Sequence, residues 1–547
     1  MADPAFTRCS AAAPNRRLRR SRAAWLAAAA LALCSPAAAQ VQVRPLAAPD
    51  LFSAGGGASD LPPDLWQASS GALAELVVPE VASHPLSPAA AALARHILEV
   101  GAHGPEGAGD DPDLAGARAE ALLQLGDIAA AHAIADGAPN LPQLTAMSRV
   151  AAQAALIGGQ DDRACSIGDG LVLGREGGFW LRLRSYCQAR GREAAAAQLT
   201  LELAEQQEHH PEFERLMGAM LSGGSAASGA QPALDDALDF AISRRLGLDW
   251  TSALSAAPAS IAVAVARDAG SPPAIRLAAA ARAARLGIAV PEAYAALSPA
   301  PTALPPPDAP GPMGEAALVL VASATNDLTL KESAIIALLH RAKDGPEFQA
   351  LARLVAPAIS QIMGAKPVLR QPLMFAIAAA AAGDVASARA ARAEVGQGTS
   401  APAPADLAVL DALIGVASGP ADPAAAQALT ALAGRGEAPV KARAAAALAL
   451  LGAFAPLDAQ ARFAVADADL GPPQVPPGRR LALEQAAEQG RMGDTALYVL
   501  GSCVEAGPRG PSAGERALMV RALRQAHLEG DARAMAIEGL VALQARP

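Results

Sequence analysis

Two cysteines, Cys165 and Cys187, sit near the start and at the end of the stretch DRACSIGDGLVLGREGGFWLRLRSYC, Asp161 to Cys187. Three chemistries use such a pair. A zinc site needs two further ligands, and neither a C-x-x-C motif nor a neighbouring His supplies them. A catalytic thiolate needs a His partner, and the nearest, His209 and His210, belong to a separate turn. A disulfide needs only close approach. With helices over about 162–173 and 178–190, Cys165 lies eight residues before the end of one and Cys187 nine after the start of the next. At 1.5 Å of rise per residue both are about 12–14 Å from the connecting loop, at nearly equal height on antiparallel neighbours. A Cys165–Cys187 disulfide is therefore expected. Cys503 is left over and reads as a buried thiol.

Other clusters are less productive. EHHPEFE, Glu208 to Glu214, gathers two His and three Glu, but adjacent His on a helix point different ways and the run is not H-E-x-x-H. It reads as a solvated helix end before Pro211. GDDPD, Gly109 to Asp113, lacks the alternating oxygen ligands of a calcium loop. Asp111 before Pro112 instead reads as an N-cap followed by Pro at the first helical position. In FWLRLRSY, Phe179 to Tyr186, helical spacing sends Trp180 and Leu183 to the core and leaves Arg182 and Arg184 solvated. No Walker loop, G-x-S-x-G or dinucleotide fingerprint occurs. No catalytic residue, metal ligand or cofactor is assigned, and the expectation is a protein that is not an enzyme.

The elements that position these residues are helices. Of 547 residues, 52% are apolar but only 3% aromatic, and roughly a quarter are Ala, the strongest helix former. Runs of β-branched and aromatic residues are scarce. Pro-, Gly- and Ser-rich stretches punctuate the chain, the densest being SPAPTALPPPDAPGPMG at 298–314. The expected organisation is a leader at 1–39, a flexible segment at 40–64, a helical domain at 65–297, a Pro-rich linker at 298–314 and a second helical domain at 315–547.

Within these domains a helix–turn–helix pattern recurs. Gly126, Gly159, Gly191 and Gly383 are each followed five residues later by Ala131, Ala164, Ala196 and Ala388. The first three glycines are 33 and 32 residues apart. Each Gly is expected to end a first helix in the left-handed conformation, and each Ala to let the second helix pack closely. Later turn glycines are read at Gly419, Gly452, Gly493 and Gly530. The Leu125–Ala131 core and the Gly-to-Ala spacing resemble tetratricopeptide repeats, clearly over about 114–225 and loosely beyond. That resemblance implies an all-α fold of two right-handed α-solenoid segments joined by the linker, and a role in protein–protein interaction.

Export is the remaining expectation. Arg16, Arg17, Arg19, Arg20 and Arg22 precede the apolar run AAWLAAAALAL and the A-x-A site of SPAAAQ, which places cleavage after Ala39. Attachment of lipid at Cys34 is the alternative, disfavoured by Leu33 before it. Removal of 1–39 takes away six Arg and one Asp and carries the net charge from −9 to −14. An acidic chain repels phosphate backbones, so nucleic acid is excluded as a partner. No later run spans a membrane; ARAAAALALLGAFAPL reads as a buried helix. The expectation is a periplasmic scaffold or adaptor of a Gram-negative bacterium that holds envelope proteins or peptides. A peptidoglycan-binding or -processing protein with a helical superhelix is the alternative.

Overall fold

The computed structural model describes residues 50–547 except 58, 224–229, 294–305, 307–308, 310, 366–367, 397–401, 420–422, 473 and 545–547. The proposed leader, its cleavage site and Cys34 lie outside the described residues, as does most of the 298–314 stretch.

Among the described residues there are 26 α-helices and no strands, only two isolated bridges. Alanine makes this possible by letting helix axes approach. Gly116 takes the approach further: a Cβ there would lie 2.4 Å from Cβ of Ala146 on the next hairpin. Helix starts follow the expected chemistry. Asp111 accepts hydrogen bonds from the amides of Asp113 and Leu114, with Pro112 in the first turn. The first ten residues of the ARAAAALALLGAFAPL run lie in the helix Ala438–Leu451, packed into the core, and the rest form the turn after it. No helix among the described residues is long and apolar enough to cross a membrane.

Consecutive helices pack in pairs, as in Thr145–Ile157 on Asp161–Gly170, Gly178–Arg190 on Ala194–Gln207, and Pro372–Ala381 on Val385–Glu394. The fold is all-α and solenoid-like. The turns share one geometry. After Pro112–Gln124, Leu125 is the C-cap, Gly126 has φ +83°, and the amide of Asp127 donates back to the carbonyl of Leu122. Gly159 (φ +74°) and Gly383 (φ +86°) repeat this Schellman turn. Ala131, Ala164 and Ala388, five residues on, are fully buried.

The third turn differs from expectation by one residue. Gly191 is right-handed (φ −71°), and Arg192 carries the left-handed conformation (φ +65°). The amide of Glu193 closes the turn on the carbonyl of Gln188. The buried small residue is accordingly Ala197, while Ala196 is half-buried. The left-handed positions 126, 159 and 192 are thus 33 residues apart each time. Keeping that phase preserves the burial of Trp180, Leu183 and Tyr186. A one-residue slip would rotate those side chains by about 100° around the helix. Further on, Gly493 and Gly530 lie inside helices, and Gly452 is a right-handed cap. The turns there are Gly490 and His527, with Thr495 and Ala532 buried five residues later.

Residues 49–547 form one compact unit by contact. An open solenoid contacts only its neighbours. Here Pro88–Leu98 packs against Met492–Ala506 and Glu529–Ala542, and Gly345–Leu354 and Pro404–Ser418 also meet Glu529–Ala542. Buried polar groups fasten these long-range contacts. Glu538, fully buried, accepts from the amide of Ala89 at 2.8 Å and pairs with Arg516 at 2.6 Å. His96 bridges Asp531 at 2.9 Å and Asp60 at 2.8 Å. Residues 50–66 belong to the packed body. Phe52 and Trp66 meet edge to face, and the buried Arg118 donates to the carbonyls of Phe52, Leu98 and Val100.

Candidate binding groove

The 33-residue period places equivalent side chains of successive first helices side by side. Asp113, Ala146 and Phe179 form one such row, and Gly116, Arg149 and Arg182 a second. Glu120 and Gln153 begin a third, whose next member, Tyr186, is buried in the core. The helices Pro112–Gln124, Thr145–Ile157 and Gly178–Arg190 thus build the floor of a groove of about 830 Å³. Pro79, Ala82 and Ser83 line one side, and Glu208 stands near the far end.

The floor is polar. Glu120 accepts from Gln124 at 2.8 Å through one carboxylate oxygen. Its other oxygen is buried without a hydrogen bond, and the nearest cation, Arg149, is 3.8 Å away. The amide oxygen of Gln153 is buried and unpaired as well. Arg182 donates to Asp236 at 3.0 Å and lies over the ring of Phe213, while its Nε–H has no partner among the described residues. Each such group costs about 1–3 kcal/mol when left unsatisfied. A groove floored by several is suited to a ligand that hydrogen-bonds along its length. A cavity of about 210 Å³ near Leu339, Phe348, Met374 and Val541 is smaller and more apolar.

The cysteines fasten one floor helix to its neighbour. Cys165 and Cys187 are bonded, Sγ to Sγ 1.99 Å, with Cα atoms 5.8 Å apart, and they tie Asp161–Gly170 to Gly178–Arg190. Asp161 at the start of the first helix accepts from Tyr186 Oη at 2.9 Å and pairs with Arg244 at 2.7 Å. Burial, reinforced by the Asp161 charge, raises the Tyr186 phenol well above its ordinary range. Cys503 is fully buried, and burial pushes its thiol up to about 12. It is a packing residue rather than a nucleophile.

Trp180 and Leu183 face the core as expected. Arg182 does not face solvent: it is buried, because the helix Ala237–Arg245, the third one on, brings its cap Asp236 across to meet it. Arg184 is half-buried. Of the EHHPEFE residues, His209 is solvated, but His210 is half-buried 3.9 Å from Asp236. The pair Asp236 and Asp239 escapes sequence reasoning. Its one trace is an acidic residue at position 239 inside the otherwise apolar ALDFAIS helix. Asp236 caps that helix by accepting from the amides of Leu238 and Asp239. Asp239 is fully buried with both carboxylate oxygens unpaired, and burial next to Asp236 raises its pKa to about 8.

Comparison of the chain with models of known protein families, with curated proteins and with solved structures finds no match.

Proposed function

We propose that the chain is an exported, periplasmic scaffold of tetratricopeptide type that holds envelope proteins or peptide segments in the 112–190 groove. The observation that carries this reading is that the side-by-side first helices expose to one channel three polar residues, Glu120, Gln153 and Arg182, each of which keeps one buried atom (Oε2, Oε1 and Nε) without a hydrogen-bond partner among the described residues. An extended peptide offers amides and carbonyls at a short repeat, the complement such a floor requires. The Cys165–Cys187 pair supports export, because structural disulfides persist in oxidising compartments. The basic and apolar leader at 1–39 points the same way.

Chemical cross-linking in intact cells, followed by purification from the envelope, tests the reading. A small and reproducible set of co-purifying envelope proteins is expected. Recovery with wall fragments and no protein partner would replace it with a wall-binding role.

A further inference from the structure

The junction of three elements behind Arg182 holds a set of groups that the groove does not use. His210 stands at the start of the helix Pro211–Leu221, and Asp236 and Asp239 occupy the first turn of Ala237–Arg245. One ligand atom from each of the three lies within 4.8 Å of the others. Asp239 is fully buried, and neither of its oxygens has a hydrogen-bond partner among the described residues. A carboxylate at the third residue of a helix commonly reaches back to the cap amide, and Asp239 does not. The Nε2 atom of His210 faces Asp236 Oδ2 at 3.9 Å, and the other ring nitrogen, Nδ1, is buried with no partner among the described residues. A fully buried carboxylate with two unpartnered oxygens, beside a second carboxylate and an imidazole, is costly to bury without a partner.

We propose that His210, Asp236 and Asp239 bind a divalent cation of the Zn²⁺ class. One imidazole and two carboxylates suit Zn²⁺ and its first-row neighbours better than Ca²⁺ or Mg²⁺, which take oxygen ligands. Metal–ligand bonds of about 2.0–2.2 Å put tetrahedral ligands about 3.4 Å apart. The 3.9 Å between His210 Nε2 and Asp236 Oδ2 closes to that value by small side-chain rotations. Asp236 is already oriented, since its Oδ1 accepts from two backbone amides and its Oδ2 points to the cluster, where it now accepts from Arg182. Asp235 and Glu212 add negative potential nearby. The competitor is Arg182, whose Nη1 lies 3.0 Å from Asp236 Oδ2. A cation at this point displaces that ion pair and releases a guanidinium that lines the groove.

The test uses the whole chain, purified without a histidine tag and stripped of metal, titrated with Zn²⁺ by calorimetry and with Co²⁺ by visible absorption. One equivalent is expected to bind, with Co²⁺ bands of a four- or five-coordinate site. His210→Gln and Asp239→Asn should each weaken binding by at least about 100-fold. Arg182→Gln should tighten it severalfold by removing the competitor. His210 is half-buried, so His210→Gln reports even if Asp239→Asn misfolds by circular dichroism. Absence of stoichiometric binding would overturn the proposal and leave a carboxylate pair sharing a proton. Binding unchanged in His210→Gln would place the ion elsewhere and overturn it equally.

Discussion

Replacing Gly191 by Ala is expected to stabilise its hairpin, while the same change at Gly383 is expected to destabilise its own. Gly191 is right-handed at φ −71°, and a Cβ there meets only the carbonyls of Gln188 and Cys187 at 3.4 and 3.5 Å, ordinary contacts. The gain comes from the unfolded chain, which loses freedom worth about 0.4–1 kcal/mol. Gly383 sits at φ +86°, and a Cβ there meets nothing within 4 Å, so its cost is purely conformational. A left-handed L-residue costs about 1–2 kcal/mol, from which the unfolded-state gain is subtracted, leaving a loss of about 1 kcal/mol. Arg192→Gly removes such a penalty and should stabilise by about 0.5–1 kcal/mol. Repeat arrays unfold in parts, so a global midpoint blurs these effects. Hydrogen exchange resolved by helix does not. Amides of Gly178–Arg190 should exchange about threefold more slowly in Gly191→Ala, and those of Pro372–Ala381 about fivefold faster in Gly383→Ala. Fivefold faster exchange in Gly191→Ala, with no effect of Arg192→Gly, would show that glycine at 191 carries the turn and would refute the 33-residue phase.

Three further outcomes follow from the packing. The disulfide closes a separation of 22 residues, so the double change Cys165→Ser, Cys187→Ser should cost about 3 kcal/mol in urea unfolding; a loss below about 0.5 kcal/mol would contradict this. Arg118→Met leaves the carbonyls of Phe52, Leu98 and Val100 without their donor, and a loss of about 3–5 kcal/mol with rapid exchange over 50–66 is expected. The Asp531 hydrogen bond, aided by Asp60, raises His96 from an ordinary value of 6.5 to about 9. A raised folded pKa means that its contribution is full below pH 6.5 and is lost as pH rises through 9. Stability should fall over that window in the wild type, and His96→Gln should abolish that part of the slope.

Local chemistry is legible in the sequence, and long-range chemistry is not. Helical periodicity and rise per residue suffice to bring Cys165 and Cys187 together, because both lie within one hairpin. Gly126, Gly159 and Gly383 are legible as turns because glycine is the cheapest left-handed residue. The same rule misleads at Gly191, where helix burial outweighs the roughly 1 kcal/mol strain at Arg192. Arg182 reads as solvated because its partner, Asp236, lies 54 residues away on a helix whose crossing is set by packing. The Ala89 to Glu538 hydrogen bond spans 449 residues. No pattern along the chain announces such a contact. The groove is intermediate: its rows follow from the 33-residue period once the phase is corrected, but its unpaired atoms emerge only from the packed side chains.

Site-specific photo-cross-linking in living cells tests the central claim most directly. A photoreactive residue would replace Gln153 on the groove floor and, separately, Ala195, exposed on the helix Ala194–Gln207. Discrete adducts to one or a few envelope proteins are predicted from position 153 and none from position 195. Equal labelling from both positions, or none from 153 in cells where the protein is abundant, would contradict a peptide-holding groove.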